Sequence, residues 1–155
     1  MAEPISLRDS IAAQMKDAMK AGEKTRVGAL RLIMSALKDR EIEARGAGKI
    51  VSRADELALL TKMAKTRAES LAIYRENHRD DLAAQEAAEI AVINEFLPRQ
   101  MDDAAVTEAA RAAIAETGAA GMRDMGKVVA ALKDKYPGQM DFAKASAIVK
   151  GLLST

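Results

Sequence analysis

Cysteine is absent from this chain, and its 155 residues include a single histidine, His78. These two facts exclude disulfides, cysteine nucleophiles and the cysteine- or histidine-rich sites that bind zinc. Aromatic residues make up only 3 % of the sequence, so stacking of single-stranded bases on aromatic side chains is not expected. No apolar run approaches the roughly 20 residues of a membrane span, and no secretory signal is visible. We therefore expect a cytoplasmic protein without a metal, a cofactor or a membrane contact.

The residues that are present favour helices. Hydrophobic residues account for 49 % of the chain and charged residues for 30 %, which is typical of a folded domain. The hydrophobic residues are mostly alanine, leucine, isoleucine, valine and methionine, whereas a β-sheet would need more β-branched and aromatic side chains. Together with the helical spacing of the apolar positions, this composition predicts an all-α protein.

Capping residues and helix-stop glycines divide the first part of the chain into four predicted helices. Ser6 and Ser52 each stand three residues before an aspartate, a spacing typical of a capping box at a helix start. Asp80 is the predicted N-cap of the fourth helix, which ends before Pro98 because the residue before a proline disfavours helical angles. The predicted helices run from Leu7 to about Ala21, from Thr25 to Arg45, from Arg53 to about Glu76 and from Asp80 to about Phe96.

From Pro98 onwards the predicted helices are shorter and richer in alanine. Asp102 and Asp141 are predicted N-caps, and Gly118 and the Pro137–Gly138 pair are predicted helix stops. The helix between these stops is predicted from about Arg123 to Tyr136. The sequence therefore predicts two domains, an N-terminal bundle of about four helices in residues 1–97 and a three-helix tail in residues 98–155.

The second predicted helix combines a wide apolar arc with a basic strip. Its apolar residues between Ala29 and Leu37, Leu32 among them, cover roughly 200° of the helix circumference, so we expect it to pack on two sides. The remaining strip carries a cation at every seventh position: Lys24, Arg31, Lys38 and Arg45. Between Lys16 and Arg53 ten lysines and arginines stand against five acidic residues, which predicts a basic ridge.

A second group of cations lies in the predicted tail. Between Ala120 and Thr155 six cations stand against three anions. Clustered cations bind phosphate by releasing counterions, and without aromatic side chains the contact would be to the backbone of a folded RNA. The alternative interpretation is an ordinary solvated helix surface. The RNA-binding candidates are therefore the four cations of the strip and the tail lysines Lys127, Lys133, Lys135, Lys144 and Lys150.

The patterns that could carry catalysis are incomplete. Residues Gly121–Lys127 match the start of a phosphate-binding loop, but Val128 stands where that motif needs Ser or Thr, and no strand precedes it. We expect a helix start instead, with Gly126 permitting close contact between helices. Ser35 stands three residues before Lys38, yet serines inside helices usually face solvent or bond to their own backbone.

The acidic pairs and the histidine also have structural explanations. Glu86 and Glu89 share one predicted helix, and Glu41 and Glu43 share another, which is the usual pattern of carboxylates that pair with nearby cations. His78 lies in a polar turn, where we expect a surface residue. The sequence therefore predicts no catalytic residue and no metal site.

Several motifs occur in the order and spacing of a known family. They cover almost the whole chain and comprise Arg31–Lys38 with Glu41–Glu43, Glu86–Glu89 leading to Phe96–Gln100, Thr117–Gly118 and Met122–Lys127. On these residues the chain resembles the GatB/YqeY family. That family is similar to the C-terminal helical tail of the B subunit of the glutamine-dependent amidotransferase that acts on misacylated tRNA.

The resemblance implies an all-α, two-part protein with a link to tRNA. It also implies a carbon–nitrogen ligase with glutamine as the amido donor, although the residues supply no active site for that activity. Our first hypothesis is a tRNA-linked accessory protein, not itself catalytic, that binds tRNA, an amidotransferase or another translation-related protein. The alternatives are a protein–protein interaction module without an RNA role, and the ligase itself.

Overall fold

The computed structural model describes residues 6–154, and this part of the chain is helical without a strand. The bounds of its α-helices follow from caps and stops that are described below. They are α1 Leu7–Ala21, α2 Lys24–Gly46, α3 Arg53–Glu76, α4 Asp80–Asn94, α5 Asp103–Thr117, α6 Met125–Lys135 and α7 Phe142–Leu153. The predicted all-α class, with four helices followed by three, is confirmed.

The chain divides into two compact units after Leu97. The first unit contains α1 to α4 and the second contains α5 to α7. Each unit has its own cluster of buried apolar side chains, and the two clusters share no residue. We call them the first unit and the tail unit.

Local hydrogen bonds fix most of the helix ends. The Ser6 hydroxyl accepts from the backbone N–H of Asp9 at the start of α1. At the start of α3 the bonds are reciprocal, because Ser52 accepts from Asp55 while the Asp55 carboxylate accepts from the backbone N–H of Ser52, each at 3.0 Å. Gly22 ends α1 with φ 73°, a left-handed conformation that glycine adopts at little cost.

In the first unit, α2 lies among the other helices and contacts α1, α3 and α4, while α3 packs mainly on α4. The side chains at the centre of this unit are completely or almost completely buried: Ile11, Leu30, Ile33, Leu60 and Ile93. The predicted packing of α2 on more than one side is confirmed. Leu32 is the exception within its apolar arc, because 45 % of this residue stays exposed.

Two helix ends of the first unit differ from the prediction. Asp80 is the first residue of α4 and not its N-cap; Arg79 occupies that position without a side-chain cap bond. The preceding His78 adopts a left-handed φ of 56°, and α4 begins one residue earlier than an N-cap at Asp80 would place it. At the other end α4 stops at Asn94, because the following amides bond three residues back, as Phe96 does to Ile93 at 3.0 Å.

The tail unit is built around small side chains. Its buried cluster contains four alanines, on α5 and α7, beside larger residues such as Val128, Leu132 and Val149. Gln100 closes the unit, since its side-chain amide donates to the backbone carbonyls of Pro98 and Gly138 at 2.9 and 2.7 Å. The helix predicted from Arg123 begins instead with a 3₁₀ turn, Met122–Asp124, before α6.

Candidate nucleic-acid interface

The basic strip predicted on α2 is exposed along its whole length. We call it the α2 ridge, and its members are Lys24, Arg31, Lys38 and Arg45. A spacing of seven residues advances about 10.5 Å along a helix and turns it by only about 20°. The positions four residues after Lys24, Arg31 and Lys38 hold Gly28, Ser35 and Ile42, and the carboxylate of Glu41 stands beside the line near Arg45. The result is a cationic edge about 31 Å long that drifts by about 60° around the helix.

Most of the positive charge on the α2 ridge is uncompensated. Only Arg45 pairs along the ridge, with Glu41 one turn away at 3.0 Å. Glu41 also accepts from Arg8 of α1. Within residues 6–154, Lys24, Arg31 and Lys38 have no carboxylate within ion-pair distance. Unpaired, exposed cations are the groups from which phosphate oxygens gain most, because no internal contact has to be broken first.

The tail lysines are compensated to a greater extent. Lys135 donates to both carboxylate oxygens of Glu116 at 2.9 Å, a contact that raises the pKa of the lysine. Lys144 lies 2.7 Å from Asp103. The Lys133 ammonium stands 6.0 Å from the centre of the Phe142 ring, which is the outer limit of a cation–π contact.

Lys133 has no ion pair in the described part of the chain, and neither do Lys127 and Lys150, which also lack a ring contact. Both are exposed, one on α6 and the other on α7. These two helices run in opposite directions, since Met122 before α6 contacts Ser154 after α7 and Lys133 late in α6 faces Phe142 at the start of α7. Of the tail lysines, two therefore have neither an ion pair nor a ring contact, against three unpaired cations on the α2 ridge.

The start of α2 is held firmly by Arg26. Its guanidinium donates to Gln14 of α1 at 2.6 Å and to Glu95, just after α4, at 2.6 and 3.1 Å. The hydrogen bond with Glu95 raises the pKa of Arg26 further, so this cation stays charged. The first turn of α2 is thus tied to the helices on both sides of it.

Two clefts flank this first part of α2. The α1–α2 cleft has a volume of about 380 Å³, and the charged residues that line it are Lys24 and Arg31. The larger α2–α4 cleft, about 640 Å³, is lined by Lys24 and by Glu89, whose charge is balanced elsewhere. Gly28 borders both clefts. Cations and open space therefore coincide at one end of the α2 ridge.

Comparison with known proteins assigns a family to this fold. The sequence pattern of the family described as "Yqey-like protein" matches residues 8–153. The chain belongs to the YqeY-like family. The match spans both units and nearly every described residue of this YqeY-like chain, and it confirms the family resemblance.

Curated relatives of this YqeY-like protein come from yeasts. The chain is 36 % identical over 86 residues to "Altered inheritance of mitochondria protein 41, mitochondrial" of Candida glabrata, a match that covers 54 % of this chain and 45 % of the relative. It is 34 % identical over 98 residues to the protein of that name from Lachancea thermotolerans, which covers 59 % and 50 %. The chain thus spans about half the length of the curated relatives that it matches. No helix in residues 6–154 is long and apolar enough to cross a membrane.

One acidic pair of this YqeY-like chain that the sequence singled out is separated by its contacts in the structure. Arg67 of α3 donates to Glu89 of α4 at 2.9 Å, with both side chains largely buried. Glu86 differs, because its carboxylate oxygen Oε2 is buried without a hydrogen-bond partner in the structure. Among the described residues no three acidic, histidine or cysteine side chains are grouped to hold a metal ion.

The remaining candidates for chemistry are separated from one another. Gly126 and Lys127 lie inside α6 and not in a phosphate-binding loop. The predicted close contact at Gly126 is wrong, since a Cβ there would meet nothing within 4 Å. The Ser146 hydroxyl donates to the carbonyl of Phe142 at 2.7 Å, while Ser35 and His78 are exposed.

Proposed function

We propose that this YqeY-like chain is a tRNA-linked accessory protein that binds folded RNA through the α2 ridge, with the tail lysines as a second contact. One observation carries the proposal: three neighbouring cations of the ridge are exposed, aligned and free of carboxylate partners. The protein acts by binding and not by catalysis, in the cytoplasm. Its protein partner, bound to the same RNA, is an amidotransferase or another translation-related protein.

The shape of the α2 ridge suits a folded RNA better than a single strand. A rigid helix presents its cations at fixed intervals of about 10.5 Å, which suits phosphates that an RNA fold also holds in place. Single strands are bound largely by stacking on aromatic side chains, and the ridge has none. Recognition would therefore depend on shape and charge.

A titration with bulk tRNA tests the proposal. Binding is measured for the full chain at about 50 and about 200 mM salt, because each phosphate contact adds about 0.9 to the salt dependence of log affinity. The test variant is Lys24→Gln/Arg31→Gln/Lys38→Gln. We expect its affinity to fall at least about tenfold and the salt dependence of its log affinity to drop by about 2.7.

The matched control removes three exposed helix cations away from the α2 ridge, Lys16→Gln/Lys62→Gln/Arg75→Gln. This variant has the same net charge as the test variant, so a general loss of positive charge would weaken both equally. Equal weakening, or no binding of tRNA by the natural chain at low salt, contradicts the proposal. The double variant Lys127→Gln/Lys150→Gln measures the share of the tail unit in the same assay.

A protein–protein interaction module is the second candidate, and one residue favours it. Ile50, in the loop between α2 and α3, is 93 % exposed, an unusual position for a large apolar side chain. A partner that remains bound after nuclease treatment and is lost with Ile50→Ser would support this function. Glutamine-dependent ammonia release by the isolated chain would instead support the ligase that the family resemblance implied.

A further inference from the structure

No contact and no backbone conformation in the described part of the chain requires a glycine at Gly28. It lies in the second turn of α2, where glycine is the poorest helix former after proline. Its φ is not left-handed, and a Cβ built on it would meet nothing within 4 Å. An alanine would therefore fit and would favour the helix. The missing side chain leaves open space on the surface and nothing else.

That open space lies between two cations. Gly28 is four residues after Lys24 and three before Arg31, so all three lie on one face of α2. The same three residues line the α1–α2 cleft, together with the apolar Met19 and Val27. Met19 is 59 % exposed, although it borders the cleft. The lining of the cleft thus combines apolar side chains with two cations of α2 and includes no carboxylate.

We infer that the α1–α2 cleft holds the RNA backbone at its closest approach to this protein, with a phosphodiester over Gly28 between Lys24 and Arg31. The inference rests on the proposed function and names the site within it. A phosphodiester carries one negative charge between two sugars. Two cations without carboxylate competition match that charge, and the exposed faces of Met19 and Val27 match the less polar sugar.

Continuity with the α2 ridge favours RNA over a single anionic group. Lys24 and Arg31 are the first two members of the ridge, and Lys38 continues it on the same line beyond the cleft. A ligand that extends from Gly28 past Arg31 therefore meets a third free cation, Lys38, about 10.5 Å beyond Arg31. A polymer with regularly spaced charges uses all three cations, whereas an isolated phosphate uses only the pair at the cleft.

Adding a side chain at Gly28 tests the inference without removing any charge. Bulk tRNA binding is measured for the full-length variants Gly28→Ala and Gly28→Leu, and for the matched controls Gly126→Ala and Gly126→Leu. Gly126 is also inside a helix with open space around its Cβ position, and it also stands beside a lysine. All four substitutions favour the helix, so we expect a thermal midpoint equal to or above that of the natural chain.

We expect Gly28→Leu to weaken tRNA binding about tenfold, the loss of roughly one backbone contact, and Gly28→Ala to weaken it less. The Gly126 variants should weaken binding less than Gly28→Leu, because Gly126 adjoins only the second contact, at Lys127. If the natural chain binds tRNA and Gly28→Leu binds equally well, the inference is overturned while the proposed function stands. Equal weakening by Gly126→Leu also overturns it. If the natural chain binds no tRNA, the proposed function fails and this site fails with it.

A binding assay with lipid vesicles tests whether the site prefers RNA or a lipid headgroup, since both ligands carry a phosphate. The natural chain and Gly28→Leu are mixed with vesicles of phosphatidylserine and phosphatidylcholine. We expect weak binding that Gly28→Leu does not change. Binding to the vesicles that exceeds tRNA binding and depends on Gly28 would overturn the assignment to RNA.

Discussion

At the scale of side chains, the ion pair Arg67–Glu89 gives the clearest prediction of how a substitution changes the free energy of unfolding. Its atoms Nε and Oε2 are 2.9 Å apart, and the side chains are only 19 % and 12 % exposed. Removing one partner leaves a largely buried charge without compensation, which is far more costly than losing a surface pair. We expect Glu89→Gln or Arg67→Met to lower the free energy of unfolding by about 2 kcal/mol, measured by urea denaturation.

The double variant and an exposed pair provide the controls. Arg67→Met/Glu89→Leu removes both charges and should recover most of the loss, because apolar side chains can occupy the same space. Arg79 and Asp81 form a pair at 3.4 Å that is 57 % and 70 % exposed, so Asp81→Asn should have little effect. A loss in the double variant equal to the sum of the single losses would show that the two side chains do not act as a pair.

Sequence reasoning was least complete about which surface cations form ion pairs with carboxylates. The exposed line of cations on α2 could be predicted, because heptad spacing alone places Lys24, Arg31 and Lys38 on one face. The neutralisation of Lys135 by Glu116 could not, since those residues are 19 positions apart and lie on different helices. Only the packing of the tail unit brings them together. The sequence therefore could not show which of the candidate cations are paired within the chain.

Among the helices, α3 has the cap whose energetics are easiest to test. The backbone N–H of Ser52 donates to the Asp55 carboxylate, and this lowers the pKa of Asp55 below its ordinary 3.8. A lowered pKa means that the contribution is present at neutral pH and is lost as the pH falls through the folded-state value. We expect Ser52→Ala to cost about 1 kcal/mol, and the stability difference between Asp55→Asn and the natural chain to shrink as the pH falls from 3.8 through the lower folded-state pKa, as thermal melts would measure.

The next residue provides a control of opposite sign. Burial raises the pKa of Glu56 above its ordinary 4.5. The charged form is therefore the unfavourable one in the folded state, and the natural chain loses stability as the pH rises from 4.5 through the raised value. Glu56→Gln should gain stability relative to the natural chain over that range. If the Asp55→Asn difference followed the same direction with pH, the capping explanation would be wrong.

Helix ends were predictable wherever the signal was local. Ser6, Ser52, Asp102 and Asp141 all act as N-caps, because a cap bond joins residues only two or three positions apart. The prediction that Asp80 is the N-cap of α4 was wrong, because the choice between Arg79 and Asp80 depends on the left-handed turn at His78. The exposure of Leu32, which belongs to the predicted apolar arc, has a different reason. An apolar arc shows that a helix is covered, but which edge of the arc stays open depends on where the other helices pack.

For the chain as a whole, the separate buried clusters predict separate losses of stability. Ile33 is completely buried in the first unit and Leu132 in the tail unit. Truncating either to alanine removes buried methyl groups and leaves a cavity, which costs about 3 kcal/mol. The tail unit relies on four small alanine side chains in its cluster, and a small unit buries a smaller fraction of its surface. We therefore expect Leu132→Ala to unfold the tail unit at temperatures where Ile33→Ala leaves the first unit folded.

Hydrogen exchange followed by mass spectrometry resolves this prediction by region. Ile33→Ala should speed amide exchange in α1 to α4 and leave the rates in α5 to α7 unchanged, whereas Leu132→Ala should do the reverse. Equal acceleration in all helices by either substitution would mean that the chain unfolds as one cooperative body. The distinction bears on RNA binding as well. If the units are independent, Leu132→Ala should retain the binding that depends on Lys24 and Arg31 and lose only the share contributed by Lys127 and Lys150.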